Sequence, residues 1–298
     1  MDGKLIRTNI TGIGDPFVLL DGGKYYLYAT SAPDGFKCYS SDDLFAWKDE
    51  GYCYKGSAWG ENCFWAPEVY LYKGKYYLLY TARWSKNHSL RTGLAVADSP
   101  KGPFKDVMDG PLFDMGYATI DATFLFDGDE NYLYFVRDCS ENVIDGVHTS
   151  VIYGVRVDES LTRFIGEPRV ISAPTEKWER TVNPEWCWNE GPAVLKRNGR
   201  YYLNFSVNCF DNRNYCVACS EASDPLGPFV KYKDNPILKY SEDDFSGPGH
   251  NCFFMTKDGS LYTAFHIHTF YEKPSGDRRA CFAPVAFDEN GRMKITVK

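Results

Sequence analysis

The stretch DPFVLLDGGKYYLYAT, residues 15–30, decides the fold because its pattern returns four more times along the chain. Each copy joins a short strand-like run, a turn rich in Gly or Asp, and a second run that usually contains Tyr. Alternating apolar residues on both sides of such a turn are typical of β-hairpins. The other copies are APEVYLYKGKYYLLYT from Ala66, DATFLFDGDENYLYFV from Asp121, GPAVLKRNGRYYLNFS from Gly191 and, more weakly, NCFFMTKDGSLYTAFH from Asn251.

Further strand-like runs follow the hairpins, and two of them end alike, as DSPKGPF at 98–104 and SDPLGPF at 223–229. Each copy together with the runs that follow it forms a unit of three or four strands in roughly 50–70 residues, the size of a propeller blade. Helical periodicity is nearly absent. The sequence predicts an all-β chain that forms a five-bladed β-propeller, a single domain over residues 1–298, with a β-sandwich as the structural alternative.

Composition argues against several kinds of partner. The 298 residues are 16% aromatic, and aromatic side chains suit half-buried strands as well as sites that hold flat ligand faces. The formal net charge of -7 and the absence of any Lys/Arg run argue against nucleic acid. No stretch approaches the ~18 apolar residues of a membrane span, so we expect no membrane partner either.

The cysteines and the first residues bear on localisation. Residues 1–20 lack the charged and then apolar segments of a secretory signal. The 10 cysteines are irregularly spaced, and Cys38, Cys216 and Cys281 lie inside strand-like runs, as small apolar residues would. We expect reduced cysteines and a cytoplasmic protein, or a secreted one if a signal was removed.

The starts of the five copies carry the candidate chemistry. The first strand of each propeller blade lines the central channel, so these starts should meet at one end of it. Carboxylates that meet in a desolvated cavity have pKa values that move apart, and glycoside hydrolysis needs one protonated and one ionised carboxyl group. The starts are Gly14-Asp15, Trp65-Ala66, Ile120-Asp121, Glu190-Gly191 and His250-Asn251.

Each of these residues also has a purely structural interpretation. Asp15 precedes a proline and could be a turn residue, Glu190 could be a loop acid, and His250 could be a core histidine. The shared register of Asp15, Asp121 and Glu190 favours the catalytic interpretation, because ordinary surface acids would not coincide in this way.

Five short motifs at these positions resemble glycoside hydrolase family 43, in the family's order and over most of the chain. The resemblance implies an inverting glycosidase with a propeller fold and no organic cofactor. The motifs are Gly-Asp-Pro-Phe at 14–17, Trp-Ala-Pro-Glu at 65–68, Ile-Asp-Ala at 120–122, Asn-Glu-Gly-Pro at 189–192 and Gly-Pro-Gly-His at 247–250.

The resemblance also implies a role for each residue. Asp15 matches the general base that activates water, and Glu190 matches the general acid. Asp121 matches a third carboxylate that positions the acid and raises its pKa. His250 matches a channel histidine that holds water or a calcium ion; since calcium prefers oxygen ligands, water would mediate most of the shell of such an ion.

Sugar contacts are expected from arginine and tryptophan. Arg278 and Arg279 resemble a family arginine that binds sugar hydroxyls, and adjacent strand residues face opposite ways, so only one points inward; we favour Arg278. Trp65 and Trp188 either stack on a sugar or fill the core. Glu68 lies two residues beyond the channel position, so we expect it to make a structural hydrogen bond.

The resemblance therefore leads us to expect an exo-acting α-L-arabinofuranosidase or β-D-xylosidase that acts on oligosaccharides of arabinoxylan, arabinan or xylan. Residues 138–150 and 173–188 could close one end of the channel into a pocket. One alternative is an endo-α-1,5-L-arabinanase, which shares the catalytic residues but needs an open groove. The other is a non-catalytic carbohydrate-binding propeller, which would require no register of carboxylates.

Overall fold

The computed structural model describes residues 4–180 and 182–297, and within them the chain is almost entirely β. Helix in these residues is limited to two 3-10 segments, Cys139–Glu141 and Lys177–Arg180. The all-β prediction is confirmed. In the same part of the chain, no helix has the length and apolar character needed to cross a membrane.

The strands follow one another with short connections. In chain order they are β1 (Ile6–Asp21), β2 (Lys24–Thr30), β3 (Gly35–Ser41), β4 (Lys48–Lys55), β5 (Gly60–Tyr72), β6 (Lys75–Trp84), β7 (Leu90–Ala97), β8 (Lys105–Asp106), β9 (Thr119–Asp127), β10 (Glu130–Arg137), β11 (Val143–Ile144), β12 (Val147–Thr149), β13 (Val151–Val157), β14 (Phe164–Ser172), β15 (Trp186–Cys187), β16 (Asn189–Arg197), β17 (Arg200–Val207), β18 (Cys216–Ala222), β19 (Val230–Lys231), β20 (Gly249–Met255), β21 (Leu261–His268), β22 (Arg278–Phe287) and β23 (Met293–Ile295).

The five sequence copies form the hairpins β1–β2, β5–β6, β9–β10, β16–β17 and β20–β21. Three of them head four-stranded sheets, ordered β5-β6-β7-β8, β9-β10-β13-β14 and β16-β17-β18-β19. The other two share one sheet in the order β20-β21-β22-β1-β2-β3-β4, with β23 on β22. They are joined because β1 pairs with β22 through its first half and with β2 through its second. The number of blades stays a prediction.

The sheets bury their faces against one another. Successive side chains of β10 and β17 point to opposite faces of their sheets, and nearly all of them are buried, so both faces of these strands are covered. One core cluster joins Leu79 and Leu94 of the β5–β8 sheet to Phe124 and Leu133 of the β9–β14 sheet. This face-to-face packing holds the first strands of the hairpins next to one another.

Candidate active site

Five β-bulges position the candidate site residues. In each hairpin the pairing of the first two strands skips between one residue and the residue three places later. The residue just after each bulge begins has a positive φ, which is uncommon outside glycine, and such bulges re-aim side chains beside active sites. These residues are Asp15 (53°), Ala66 (46°), Asp121 (52°), Gly191 (53°) and His250 (47°).

This register corrects the start of the fifth copy and the expectation that Glu190 shares the register of Asp15 and Asp121. The fifth copy begins at Gly249-His250, one residue before the predicted His250-Asn251. The reason is that its turn spans residues 256–260, whereas the first hairpin turns within Gly22-Gly23, so counting back from the turn misplaces the start. In the fourth copy the left-handed position belongs to Gly191, and Glu190 lies one residue earlier.

The structure brings Asp15, Asp121 and Glu190 to one cavity of about 490 Å³, a usual size for a small-molecule site. The same cavity is lined by four other residues singled out in the sequence, namely Trp65, Trp188, His250 and Arg278. Arg279 is not among the residues that line it. Lining residues that the sequence did not single out include Thr30, Asp138, Phe210 and Tyr215.

Asp15 is held as a carboxylate. Arg278 Nη1 donates to its Oδ1 at 2.9 Å, and Thr30 Oγ1 donates to its Oδ2 at 2.6 Å. His250 Nδ1 and His266 Nδ1 lie 3.3 and 3.6 Å from Oδ1. Burial opposes the charge, but Arg278, His250 and the Thr30 hydroxyl outweigh it and hold the pKa of Asp15 well below its usual range.

Asp121 has the same backbone conformation but different neighbours. Its Oδ2 accepts the N–H of Gly191 at 3.1 Å and lies 3.9 Å from His250 Nδ1. Burial is the largest influence on its protonation; His250 and the Gly191 N–H favour the charge, and Asp15 opposes it. The net effect raises the pKa of Asp121 to about 6.

The surroundings of Glu190 favour its protonated form. Burial and, after it, the charge of Asp121 raise the pKa of Glu190 well above its ordinary value. The Tyr215 hydroxyl donates to Glu190 Oε1 at 2.8 Å and opposes this rise. The ring of Tyr215 stacks on His266, with centroids 5.5 Å apart. The cavity therefore favours the ionised form of Asp15 and the protonated form of Glu190, which is the combination that acid–base hydrolysis of an acetal requires.

Arg278 reaches Asp15 because Gly14 leaves room for it. A Cβ on Gly14 would lie 2.1 Å from Arg278 Nη2, so the guanidinium occupies the space that any other residue would fill. The Phe210 ring covers the guanidinium, 4.8 Å from Cζ. Successive residues of β22 point to opposite faces, which turns Arg279 away and leaves its Nε buried without a partner among the described groups.

Residues 138–150 and 173–188 both contribute to the cavity wall. Strand β12 pairs in parallel with β15 and joins the two segments. The His148 ring stacks on Trp186 with centroids 3.9 Å apart, and Trp188 lies 6.4 Å beyond Trp186. Aromatic faces of this kind can pack against the apolar face of a sugar ring.

A buried ion pair anchors this wall beside Glu190. Lys231 Nζ lies 2.7 Å from Glu179 Oε1 and donates to the carbonyl of Ala173, also at 2.7 Å. Asn189 Nδ2 donates to the same Glu179 oxygen at 3.0 Å. Because Asn189 directly precedes Glu190, the network fixes the start of the strand that carries the acid.

The surroundings of His250 do not match a direct calcium site. Calcium takes six to eight oxygen ligands, whereas the carboxylates beside His250, on Asp15 and Asp121, are already bound by Arg278, Thr30 and Gly191. Within residues 4–180 and 182–297, no group of three His, Cys, Asp or Glu residues could hold a metal ion. A calcium ion held through water stays a prediction, and no step below depends on it.

The sequence motifs predicted a structural hydrogen bond for Glu68, but they gave no indication of Tyr215. Glu68 does not line the cavity; burial raises its pKa to about 8, and the Tyr70 hydroxyl donates to it. Tyr215 precedes β18 and belongs to no repeated copy. Thr30 had a signal, because the last residues of the quoted copies align, and Thr81 and Ser206 share its hydroxyl.

Comparison with known proteins extends the match over nearly the whole chain. The profile of the family described as Glycosyl hydrolases family 43 matches residues 10–293. The crystal structure of a thermostable family-43 glycoside hydrolase is 41% identical, with a TM-score of 0.94, and the match covers 98% of this chain and 95% of that one.

Two curated relatives carry named activities. The beta-D-galactofuranosidase xynD of Aspergillus niger is 28% identical, over 94% of this chain and 81% of that protein. The extracellular exo-α-(1→5)-L-arabinofuranosidase of Streptomyces avermitilis is 29% identical, over 72% of this chain and 44% of that protein.

Proposed function

Since this chain belongs to glycosyl hydrolases family 43, we propose that it releases terminal L-arabinofuranose or D-xylose from plant cell-wall oligosaccharides and inverts the anomeric carbon. The chain is a glycosidase by family. The observation that carries the proposal is the convergence of Asp15, Asp121 and Glu190 on one cavity, in which Arg278 binds Asp15. The guanidinium lowers the pKa of Asp15, whereas burial raises the pKa of Glu190.

In the proposed reaction, water attacks the anomeric carbon while Asp15 takes one of its protons. Glu190 gives its proton to the glycosidic oxygen as the bond from that oxygen to the anomeric carbon breaks. The new C–O bond forms on the opposite face of the ring, so no glycosyl-enzyme intermediate arises. The proton gained by Asp15 and the proton lost by Glu190 then exchange with solvent. The chain's own carboxyl groups supply every step, so no organic cofactor is required.

Asp121 is proposed to position Glu190 and to keep it protonated. Its charge is the second largest influence on the pKa of Glu190, after burial.

Arg278 is proposed to hold Asp15 ionised and to bind sugar hydroxyls with its remaining N–H groups. Trp65 and Trp188 are proposed to stack on the sugar rings; Arg279 lies away from the cavity, which favours Arg278 for the arginine role.

Two observations support terminal release, and a third concerns the size of the sugar ring. The wall built from residues 138–150 and 173–188 borders the cavity, as expected for a closed end. One relative is named as exo-acting on arabinofuranose, and another is named for galactofuranose, so both names refer to five-membered sugar rings. An endo-α-1,5-L-arabinanase would use the same carboxyl groups in an open groove. A non-catalytic binding module would not need carboxyl groups with opposed protonation.

A panel of nitrophenyl glycosides tests the substrate. We expect turnover of α-L-arabinofuranoside or β-D-xyloside, with β-D-galactofuranoside as a third arm and with activity unchanged by chelator. Arabino-oligosaccharides should lose one sugar at a time; products from the middle of the chain would indicate the arabinanase. Proton NMR of a fresh reaction should show the inverted anomer first, and retention would contradict Asp15 as a base.

We propose further that the five hairpin units form a closed five-bladed propeller and one domain. The pairing of β1 with β22 supports closure, because it ties the beginning of the described chain to its end. The five equivalent bulges support five units of one kind. A crystal structure would count the blades, and a single cooperative unfolding transition in urea would support one domain.

We propose a reducing, cytoplasmic location with oligosaccharides as partners. All ten cysteines are free, and eight of them are buried as small apolar residues would be. Fractionation of the source cells, with detection by antibody, tests this; recovery from the medium would contradict it.

A further inference from the structure

Each hairpin carries one second-strand residue opposite the start of its bulge. These residues are the last letters of the five sequence copies, namely Thr30, Thr81, Val136, Ser206 and His266. In four of the five units this side chain accepts the N–H of the left-handed residue of the next unit. The four bonds are Ala66 to Thr30 at 2.9 Å, Asp121 to Thr81 at 3.1 Å, His250 to Ser206 at 2.7 Å and Asp15 to His266 at 3.2 Å.

Val136 breaks this pattern. It is completely buried and pairs with Ile120, directly before Asp121, but its side chain cannot accept a hydrogen bond. The N–H of the next unit, on Gly191, binds Asp121 Oδ2 instead, at 3.1 Å. A buried N–H must find an acceptor, so the missing hydroxyl leaves the carboxylate to serve.

The first unit shows what a hydroxyl would do. Thr30 Oγ1 accepts the N–H of Ala66 and donates to Asp15 Oδ2 at 2.6 Å, so it stands between the aspartate and the next unit. With valine at the equivalent position, nothing intervenes, and Asp121 contacts the next unit directly at Gly191, the residue bonded to Glu190.

We infer that Val136 is a positioning residue: by lacking a hydroxyl it directs Asp121 onto the Gly191 N–H and so holds that carboxylate beside Glu190. The inference deepens the proposed function, since it rests on the proposed roles of Asp121 and Glu190. Val136 touches neither the substrate nor the reacting atoms. It acts indirectly: because valine offers no acceptor, the Gly191 N–H binds Asp121 instead.

The hydrogen bond can be observed without any substrate. The chain contains two Glu-Gly pairs, so labelling with carbonyl-13C glutamate and 15N glycine selects the amides of Gly51 and Gly191. In the wild type, the Gly191 amide proton should move as Asp121 titrates, and Asp121→Asn should remove that response. Gly51 serves as an internal control, because its N–H binds the surface carboxylate of Asp49.

Other titrating groups face Asp121, which is why the Asp121→Asn comparison is needed. They come from several elements and are Asp15, Glu68, Asp138, Glu190 and His250. A wild-type Gly191 amide whose titration survives Asp121→Asn unchanged would overturn the inference. This outcome needs no variant at position 136.

Val136→Thr should insert a hydroxyl and uncouple the Gly191 amide from Asp121. Protonation of Glu190 should then weaken, so the alkaline limb of kcat/KM should move to lower pH. Turnover of unactivated disaccharides should fall about tenfold more than turnover of nitrophenyl glycosides, which need little acid assistance. Besides Asp121, the titrating groups around Glu190 are Asp15, Asp138, Cys139, Cys209 and Tyr215.

Two control variants separate the effect on the acceptor of the Gly191 N–H from a general effect on core packing. Val136→Ala lacks the hydroxyl and should keep the amide coupled to Asp121, whereas Val155→Thr buries a hydroxyl in another strand and should change neither readout. Uncoupling in Val136→Ala, or continued coupling in a folded Val136→Thr, would refute the inference. If no glycoside is cleaved at all, the proposed function fails while the amide titration still decides the hydrogen bond.

Discussion

Replacement of Tyr215 by phenylalanine removes the hydrogen bond from its hydroxyl to the proposed acid, together with a weaker interaction with Ser206. The hydroxyl donates to Glu190 Oε1 at 2.8 Å, and the ring stacks on His266, which phenylalanine can still do. A donor favours the carboxylate over the carboxylic acid, so its loss should raise the pKa of Glu190. A hydrogen bond to a charged group contributes about 1.5–3 kcal/mol. At about 1.4 kcal/mol for each pKa unit, the alkaline limb of kcat/KM should move up by about one to two pH units.

The assay is the pH dependence of kcat/KM on an arabinofuranosyl or xylosyl oligosaccharide. Tyr134→Phe is the matched control, because the buried Tyr134 hydroxyl donates to the carbonyl of Pro225 and Tyr134 does not line the cavity. This variant should leave the alkaline limb of kcat/KM in place and lower only the stability of the fold. An alkaline limb that stays where it is in Tyr215→Phe, or that moves to lower pH, would refute Glu190 as the group behind it.

Three further changes test other parts of the site. Glu190→Ala should cost natural oligosaccharides about 10²–10⁴-fold in activity but nitrophenyl glycosides far less, because a nitrophenolate leaves with little protonation; equal losses would count against the acid. Gly14→Ala should push Arg278 off Asp15 and move the acidic limb of kcat/KM to higher pH, whereas Gly110→Ala, with open space around it, should not. Lys231→Ala leaves buried Glu179 without its cation and should cost about 3–5 kcal/mol in urea unfolding. Adding Glu179→Gln should recover part of it, because the neutral amide needs no cation and its oxygen can still accept from Asn189. A single-variant loss below about 1 kcal/mol would show that the pair does not anchor the wall.

Repeated hairpins made the all-β class and two of the carboxylates predictable. Asp15 and Asp121 begin copies of the same pattern, and the structure gives them the same bulge and nearly the same φ. Strand alternation also predicted that only one of Arg278 and Arg279 points inward, because it depends only on the period of a strand. These inferences needed nothing beyond local pattern.

Register inside the weaker copies was less accessible. The turn of the fifth hairpin is longer than that of the first, so alignment on the turn placed its start at Asn251 when it lies at His250. In the fourth copy, the alignment already placed Gly191 in the position of Asp15 and Asp121, so the expectation that Glu190 shares their register was wrong by one residue.

Contacts between distant segments were out of reach of the sequence. Tyr215 meets Glu190 only because β17 and β18 pair, which brings the residue before β18 over the cavity. The stack of His148 on Trp186 depends on the parallel pairing of two very short strands. Strands of two or three residues are too short for a hydrophobic periodicity to predict. Such features follow from tertiary packing, so motif reasoning has no signal for them.

A repeat that gives equivalent backbones can hold carboxyl groups in different protonation states only where side chains break the repeat. It is broken three times here. Arg278 comes from outside the hairpins and forms its ion pair with Asp15. Val136 lacks the hydroxyl that its equivalents Thr30 and Thr81 carry, and Glu190 lies one residue before the left-handed position. The residues that depart from the pattern, more than those that keep it, therefore determine which carboxyl is base and which is acid. Exchanging Val136 and Thr30, as Val136→Thr with Thr30→Val, should bring the pH limbs attributed to Asp15 and Glu190 closer together, and unchanged limbs in the folded double variant would contradict this argument.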